Sequence, residues 1–258
     1  MKSLRIGIIA IVFASFLISC QDNIEGTGPV ITKELDVMEF DSFELDGSFD
    51  VEVHYGEEQK VVAVGQENII DRLNTWVDND HWNIQLENGN YRHFSLKVII
   101  TIPSLRRAIV DGSGDIRIES ALFADKTSLI VEGSGNMDVV ADVDASDELL
   151  LIIDGSGNIS ASHIETTKLD TRIEGSGNIS LAGEVDTQSI VIDGSGNYKA
   201  FDLTSDTCNV RVEGSGNVQV TVGDRLNVNI EGSGDVHYKG DAITDINIDG
   251  SGRVKKVG

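Results

Sequence analysis

The sequence predicts an all-β fold, a single-stranded parallel β-helix (solenoid) with 18–22 residues per coil. Three observations predict it. The pattern Asp/Glu-Gly-Ser-Gly-Asn/Asp/Arg begins at Asp111, Glu132, Asp154, Glu174, Asp193, Glu213, Glu231 and Asp249, so successive copies lie 21, 22, 20, 19, 20, 18 and 18 residues apart. Near-constant spacing of this kind marks a stack of like units. Apolar and polar residues alternate on both sides of each copy, as in Leu169-Asp170-Thr171-Arg172-Ile173 and Asn217-Val218-Gln219-Val220. Period two with β-branched residues is the mark of a strand. No copy contains a stretch of helical periodicity long enough to form a helix.

The chain opens with Lys2 and Arg5, then an apolar run from Ile6 to Ile18 broken only by Gly7 and Ser15. That run is shorter than the ~20 residues of a membrane-spanning helix and reads as an export signal. It ends in Leu17-Ile18-Ser19-Cys20, which resembles a bacterial lipobox. Residues 1–19 are therefore expected to be a lipoprotein signal peptide, and Cys20 the acylated N-terminus of the mature chain. The competing readings are an ordinary signal with a chance cysteine and an N-terminal anchor helix. Residues 20–35 are polar, contain Gly26, Gly28 and Pro29, and read as a tether.

Residues 36–258 are expected to form the β-helix domain, with the copies spanning 111–253. From Asp36 to Tyr55 the alternation predicts two or three strands, and Asp46-Gly47-Ser48-Phe49-Asp50 looks like a decayed ninth copy. Val61–Val64, Trp82–Glu87 and Phe94–Ile102 are further strands. Ile69, Ile70 and Leu73 share one helical face and predict a short helix near residues 66–74. Pro103 marks a turn. This lead-in reads as the first coils and a cap, because an open solenoid end must be covered to avoid edge pairing.

Within a copy, Ile173 and Ile179 are six residues apart, so an unbroken strand would put both on one face, with Gly175 and Gly177 inward. Glu174, Ser176 and Asn178 would then point outward. Alternatively the glycines adopt positive φ and turn a corner. In either case stacking about 4.8 Å apart produces outward rows of carboxylates, Ser hydroxyls and Asn/Asp side chains. The carboxylate row (Asp111, Glu132, Asp154, Glu174, Asp193, Glu213, Glu231, Asp249) is the candidate ligand or cation site. Neighbours about 5 Å apart repel by roughly 1 kcal/mol in water. A bound Ca²⁺ would relieve that repulsion, although the repeat is not the Gly-Gly-x-Gly-x-Asp calcium nonapeptide. The structural reading, a solvated row with no ion, needs no cofactor. An up-and-down meander with hairpin turns is the alternative architecture, but it leaves its apolar face uncovered. A membrane barrel would need aromatic girdles, which these repeats lack.

The formal charge is −23, and −25 once Lys2 and Arg5 leave with the signal. Nucleic acid is excluded as a partner, since phosphate binding needs a basic face. With Cys20 acylated, Cys208 has no disulfide partner and is expected to be a small buried apolar side chain. His54, His81, His93, His163 and His237 are scattered without metal-ligand spacing. Gly-Ser-Gly lacks the Gly-x-Ser-x-Gly nucleophile elbow. No catalytic residue is predicted, and no metal site apart from the Ca²⁺ reading of the carboxylate row.

The run Val98-Ile99-Ile100-Thr101-Ile102-Pro103-Ser104-Leu105, followed by serial Gly-Ser-Gly copies behind a lipobox, resembles the putative auto-transporter adhesin, head GIN domain family. The resemblance covers about residues 36–250. It implies a right-handed parallel β-helix similar to pectin-lyase-like folds and brings no catalytic residues. The expected function is a lipid-anchored binding or adhesion module of the cell envelope. Its expected partners are the membrane, through the anchor, and a glycan or surface protein. Its expected location is the outer membrane, facing the periplasm or the cell surface. A non-binding structural lipoprotein and a carbohydrate-active enzyme are the alternatives.

Overall fold

The computed structural model describes residues 23–121 and 123–258. The expected signal peptide and Cys20 lie outside them. The chain is a β-solenoid built from parallel rungs. Each coil has one strand leading into the Gly-Ser-Gly corner and one leading out. Strands Phe123–Gly133, Val143–Gly155, Asn158–Gly175, Asn178–Gly194, Asn197–Gly214 and Asn217–Gly232 stack in parallel, in register through every corner. Parallel pairing rules out the meander.

Burial follows the alternation. On the incoming face Leu151, Ile153, Ile173, Ile192, Val212 and Ile230 are fully buried, and on the outgoing face Ile159, Ile179, Tyr198, Val218 and Val236 meet them. A solenoid has two apolar faces looking at each other, so it needs no second layer. Cys208 lies within this core and is unpaired. Burial pushes its thiol up, because the thiolate would lose its hydration. Tyr198 is also fully enclosed, and its hydroxyl donates to Gln188 Oε1 at 3.0 Å while Gln188 Nε2 donates to Ser205 Oγ at 2.7 Å. This chain of bonds satisfies polar groups that would otherwise be costly to bury.

The two glycines of each corner do different jobs. The first has φ between 111° and 142° in all eight copies, a region closed to L side chains. The second packs inward: a Cβ on Gly196 would run into the Gly177 carbonyl oxygen and the Ile173 side chain. The corner and the inward glycine of the sequence reading thus both occur, one at each glycine. The all-inward version is corrected, since Gly175 is exposed.

The N-terminal end departs from chain order. Strands Ser42–Gly47 and Asp50–Tyr55 form a coil whose Asp46 and Gly47 stack on Asp111 and Gly112, so the decayed copy is a true rung. The next coil in sequence, His81–Gln85 and Leu96–Ile102, stacks on the other side of that rung. The chain then returns to place Leu105–Gly112 against Ser42–Gly47. Strand Lys60–Gln66 runs antiparallel to Leu96–Ile102, and Val30–Leu35 runs antiparallel to Lys60–Gln66. The predicted helix is a single turn, Glu67–Ile70, which buries Ile69 and Ile70 over the end of the core. Together these elements form the cap.

The tether expected over residues 20–35 is corrected from Asn23 onward. Val30–Leu35 is a strand of the cap, and Asn23–Glu25 pairs in parallel with Asn90–Arg92. The segment's polar composition reflects an edge position: Val30, Thr32 and Glu34 are exposed, while Ile31, Lys33 and Leu35 are half-buried. Asn68 ties it down by donating to the Glu25 carbonyl at 2.8 Å and accepting from the Thr27 amide at 2.9 Å.

Candidate functional site

The corner edge is the feature that repeats, and it is built from the backbone upward. Each Ser amide donates to the first Gly carbonyl of the preceding coil, as in Ser195 to Gly175 and Ser215 to Gly194, both at 2.8 Å. That ladder holds the corners one coil apart and leaves all eight Ser side chains exposed. The carboxylates Asp111, Glu132, Asp154, Glu174, Asp193, Glu213, Glu231 and Asp249 stack directly on one another.

Arginine relieves part of the repulsion in this row. Arg172 pairs with Glu174, and the Arg211 guanidinium touches both Glu213 and Glu231, the latter at 3.7 Å. Five fixed donors let one guanidinium serve two carboxylates. Glu44, partly desolvated and near Asp111 and Glu132, has its carboxyl held above the usual range. Among the described residues no three His, Cys, Asp or Glu side chains come together as a metal-holding group.

The third row is the most ordered. Asn158 Nδ2 donates to Asn136 Oδ1 at 2.7 Å, Asn178 to Asn158 at 2.9 Å, Asn197 to Asn178 at 2.8 Å and Asn217 to Asn197 at 2.9 Å. Asn136 donates to Asp115 at 2.9 Å at one end, and Asn217 accepts from the Asp235 amide at 3.2 Å at the other. Each amide uses its carbonyl on one side and its NH₂ on the other, as stacked Asn ladders do. Each Asn amide keeps a second N–H that the ladder does not use.

A second Asn region escaped the sequence reading. Asn227 donates to Asn209 at 2.8 Å and Asn247 to Asn229 at 2.7 Å on the incoming face. With Ser189, Val191, Arg211 and Asp245 they line a shallow open groove of about 240 Å³. Period-two alternation marks these residues as outward, but only their register across coils shows that they form columns. A second groove, of about 470 Å³, follows the outgoing face past Val140, Ser160, Leu181 and Phe201.

The chain is similar to known proteins over almost its whole length. A family model described as "putative auto-transporter adhesin, head GIN domain" matches residues 39–147 and 139–242. The chain belongs to the head GIN domain family. Among solved structures, a "putative lipid binding protein" from Parabacteroides distasonis is 29% identical, with a TM-score of 0.85, and the match covers 92% of this chain and 100% of that one. A "putative adhesin" from the same species is 25% identical at TM-score 0.83, with the same coverage. Another, from Parabacteroides merdae, is 23% identical at TM-score 0.84 and shows the shared fold. No curated protein matches the chain.

This head GIN domain contains one constellation that looks catalytic by composition. Ser42 Oγ lies 2.8 Å from His81 Nδ1, and His81 Nε2 lies 3.7 Å from Glu44 Oε2. Ser42 is only 2% exposed, so no substrate carbonyl can reach its oxygen. His54 is held by Glu52 at 2.6 Å, His93 lies 3.6 Å from Glu25, and His163 lies 3.9 Å from Asp142. His54 shares a coil with Ser42 and Glu44 but sits on its other strand, while His93 and His163 belong to other segments of the chain. Among the described residues no helix is long and apolar enough to cross a membrane.

Proposed function

We propose that the protein is a binding or adhesion module of the bacterial envelope, anchored to the outer membrane through acylated Cys20. Its ligand is a glycan or a surface protein, met along the corner rows. One observation carries this reading: the Asn, Ser and carboxylate rows repeat in register from coil to coil, with spare amide N–H donors and exposed hydroxyls. A periodic ligand would meet the same donors and acceptors at every coil, so many weak contacts add up without a unique pocket. Membership of an adhesin-described family supports the same reading. The lipobox at Ser19-Cys20 supports the anchor.

The test is an array of glycans and matrix proteins probed with folded protein and with the triple variant Asn158→Ala, Asn178→Ala, Asn197→Ala. Binding that the triple variant loses, with circular dichroism unchanged, is the expected result. If folded protein captures nothing, the binding reading fails and a structural envelope role takes its place. Protease shaving of intact cells then fixes the side of the membrane: loss of the protein means the cell surface, protection means the periplasm.

A further inference from the structure

The last coil differs from every coil beneath it. All residues of strand Ile243–Gly250 are exposed, and Ile243, Ile246 and Ile248 stand at 71%, 43% and 39% exposure. Ile246 and Ile248 continue the inward columns of Val228 and Ile230, so the core itself is open here. The opposite end of the solenoid is closed by the antiparallel strands and the helical turn of the cap. Head-to-tail stacking would therefore put an open core against a covered one. A contact between two last coils covers both open cores, and such an isologous contact closes on itself.

Charge gives this contact its geometry. The arm before the last corner is acidic, with Asp245 and Asp249; the arm after it is basic, with Arg253, Lys255 and Lys256. In the coils from Asn136 to Asp235 the corner is followed by Asn or Asp; here Arg253 takes that position and ends the ladder by binding Asp235 at 3.0 Å. The two arms meet at Ser251. A two-fold axis through Ser251, bisecting the corner, lays each acidic arm antiparallel on the basic arm of a second copy. Asp249 then faces the partner's Arg253, Ile248 the partner's Val254, and Asn247 the partner's Lys255. Ile248 and Val254 both point inward in their own arms, stacked on Ile230 and Val236, so the apolar columns close. An Arg253 shared between Asp235 and the partner's Asp249 repeats what Arg211 does between Glu213 and Glu231.

We infer that the terminal coil is a self-association surface, and that two copies join end to end across this axis with acidic arm on basic arm. Each unpaired edge strand gains an antiparallel partner, which is the usual fate of an exposed edge.

The test uses the full lipidated chain in detergent, with mass measured by light scattering and sedimentation over a concentration series. A dimer is expected. Ser251→Cys lies on the axis and should form an interchain disulfide under mild oxidation, whereas Ser176→Cys, at an interior corner, should not. Asp249→Arg alone and Arg253→Asp alone should each weaken the dimer by roughly tenfold or more, since like charges then meet twice across the axis. The double variant Asp249→Arg, Arg253→Asp should restore it. A monomer at every concentration, a Ser251→Cys chain that does not cross-link, or a dimer indifferent to both charge reversals would each overturn the proposal.

Discussion

Residues 23–104 and residues 105–256 use the same rung in opposite ways. In the repeats each contact recurs. The Ser amide bond, the Asn–Asn bond and the stacked aliphatic columns appear at coil after coil. In the N-terminal region nearly every contact occurs once. Phe40 packs edge-on to Phe43 at 6.5 Å and against Trp82 at 5.3 Å, and Tyr91 meets Phe94 at 5.9 Å. Asp41 is gripped by Arg106, from the first repeat strand, through two nitrogens, and Glu52 collects both Lys97 and His54. Repeats spread stability over equivalent interfaces, whereas a cap must end the stack and so relies on specific side chains. Damage in the two regions should therefore differ in kind.

The largest effect is expected in the cap. Trp82 is fully buried, and its indole N–H donates to the Asn74 carbonyl at 2.9 Å. Trp82→Ala should cost about 3–5 kcal/mol, read as a shift in the urea midpoint. A loss under 1 kcal/mol would mean that the cap does not depend on single contacts. The repeats offer the matching test at Gly196. Gly196→Ala should cost about 1–3 kcal/mol by overpacking against the coil beneath. Hydrogen exchange should show that loss centred on the adjoining coils with the cap still protected. Equal loss of protection in the cap would show that the two regions unfold as one unit.

The smallest effect is expected from pH. Lys97 and then His54, by hydrogen bonding, hold the Glu52 carboxyl below its usual range. Its stabilising contribution is complete above the unfolded value, about 4.3, and disappears as pH falls through the lower folded value. Glu44 has the opposite sign. Its raised carboxyl means that ionisation destabilises the fold, so its cost grows as pH rises through the folded value. At pH 7 Glu52→Gln should lower the thermal midpoint and Glu44→Gln should raise it. Shifts of the same sign would break the contrast between a carboxylate held by close hydrogen bonds and a desolvated one at this end of the stack.

Much of the candidate site was legible before any fold. The eight carboxylates, the Ser row and the Asn row follow from one pattern at one period, because stacking turns sequence spacing into spatial rows. The columns Asn209–Asn227 and Asn229–Asn247 were harder to see, since they lie outside the conspicuous motif and become neighbours only through register. Tyr198 illustrates the same limit. Alternation places it inward, but nothing local shows that its hydroxyl finds Gln188 across the core.

The sequence by itself determined the solenoid, its coil length, the inward and outward alternation and the Gly-requiring corner. These are local constraints: side-chain direction has period two, and a positive φ or a close backbone approach admits only glycine. Tertiary structure decided the stacking order of the first coils, the use of residues 23–35 as strands and the open, charge-split last coil. Each depends on which distant strand edge a segment pairs with. An edge strand of the cap and a free tether can share the same polar composition, because solvent meets one face of the first and all of the second.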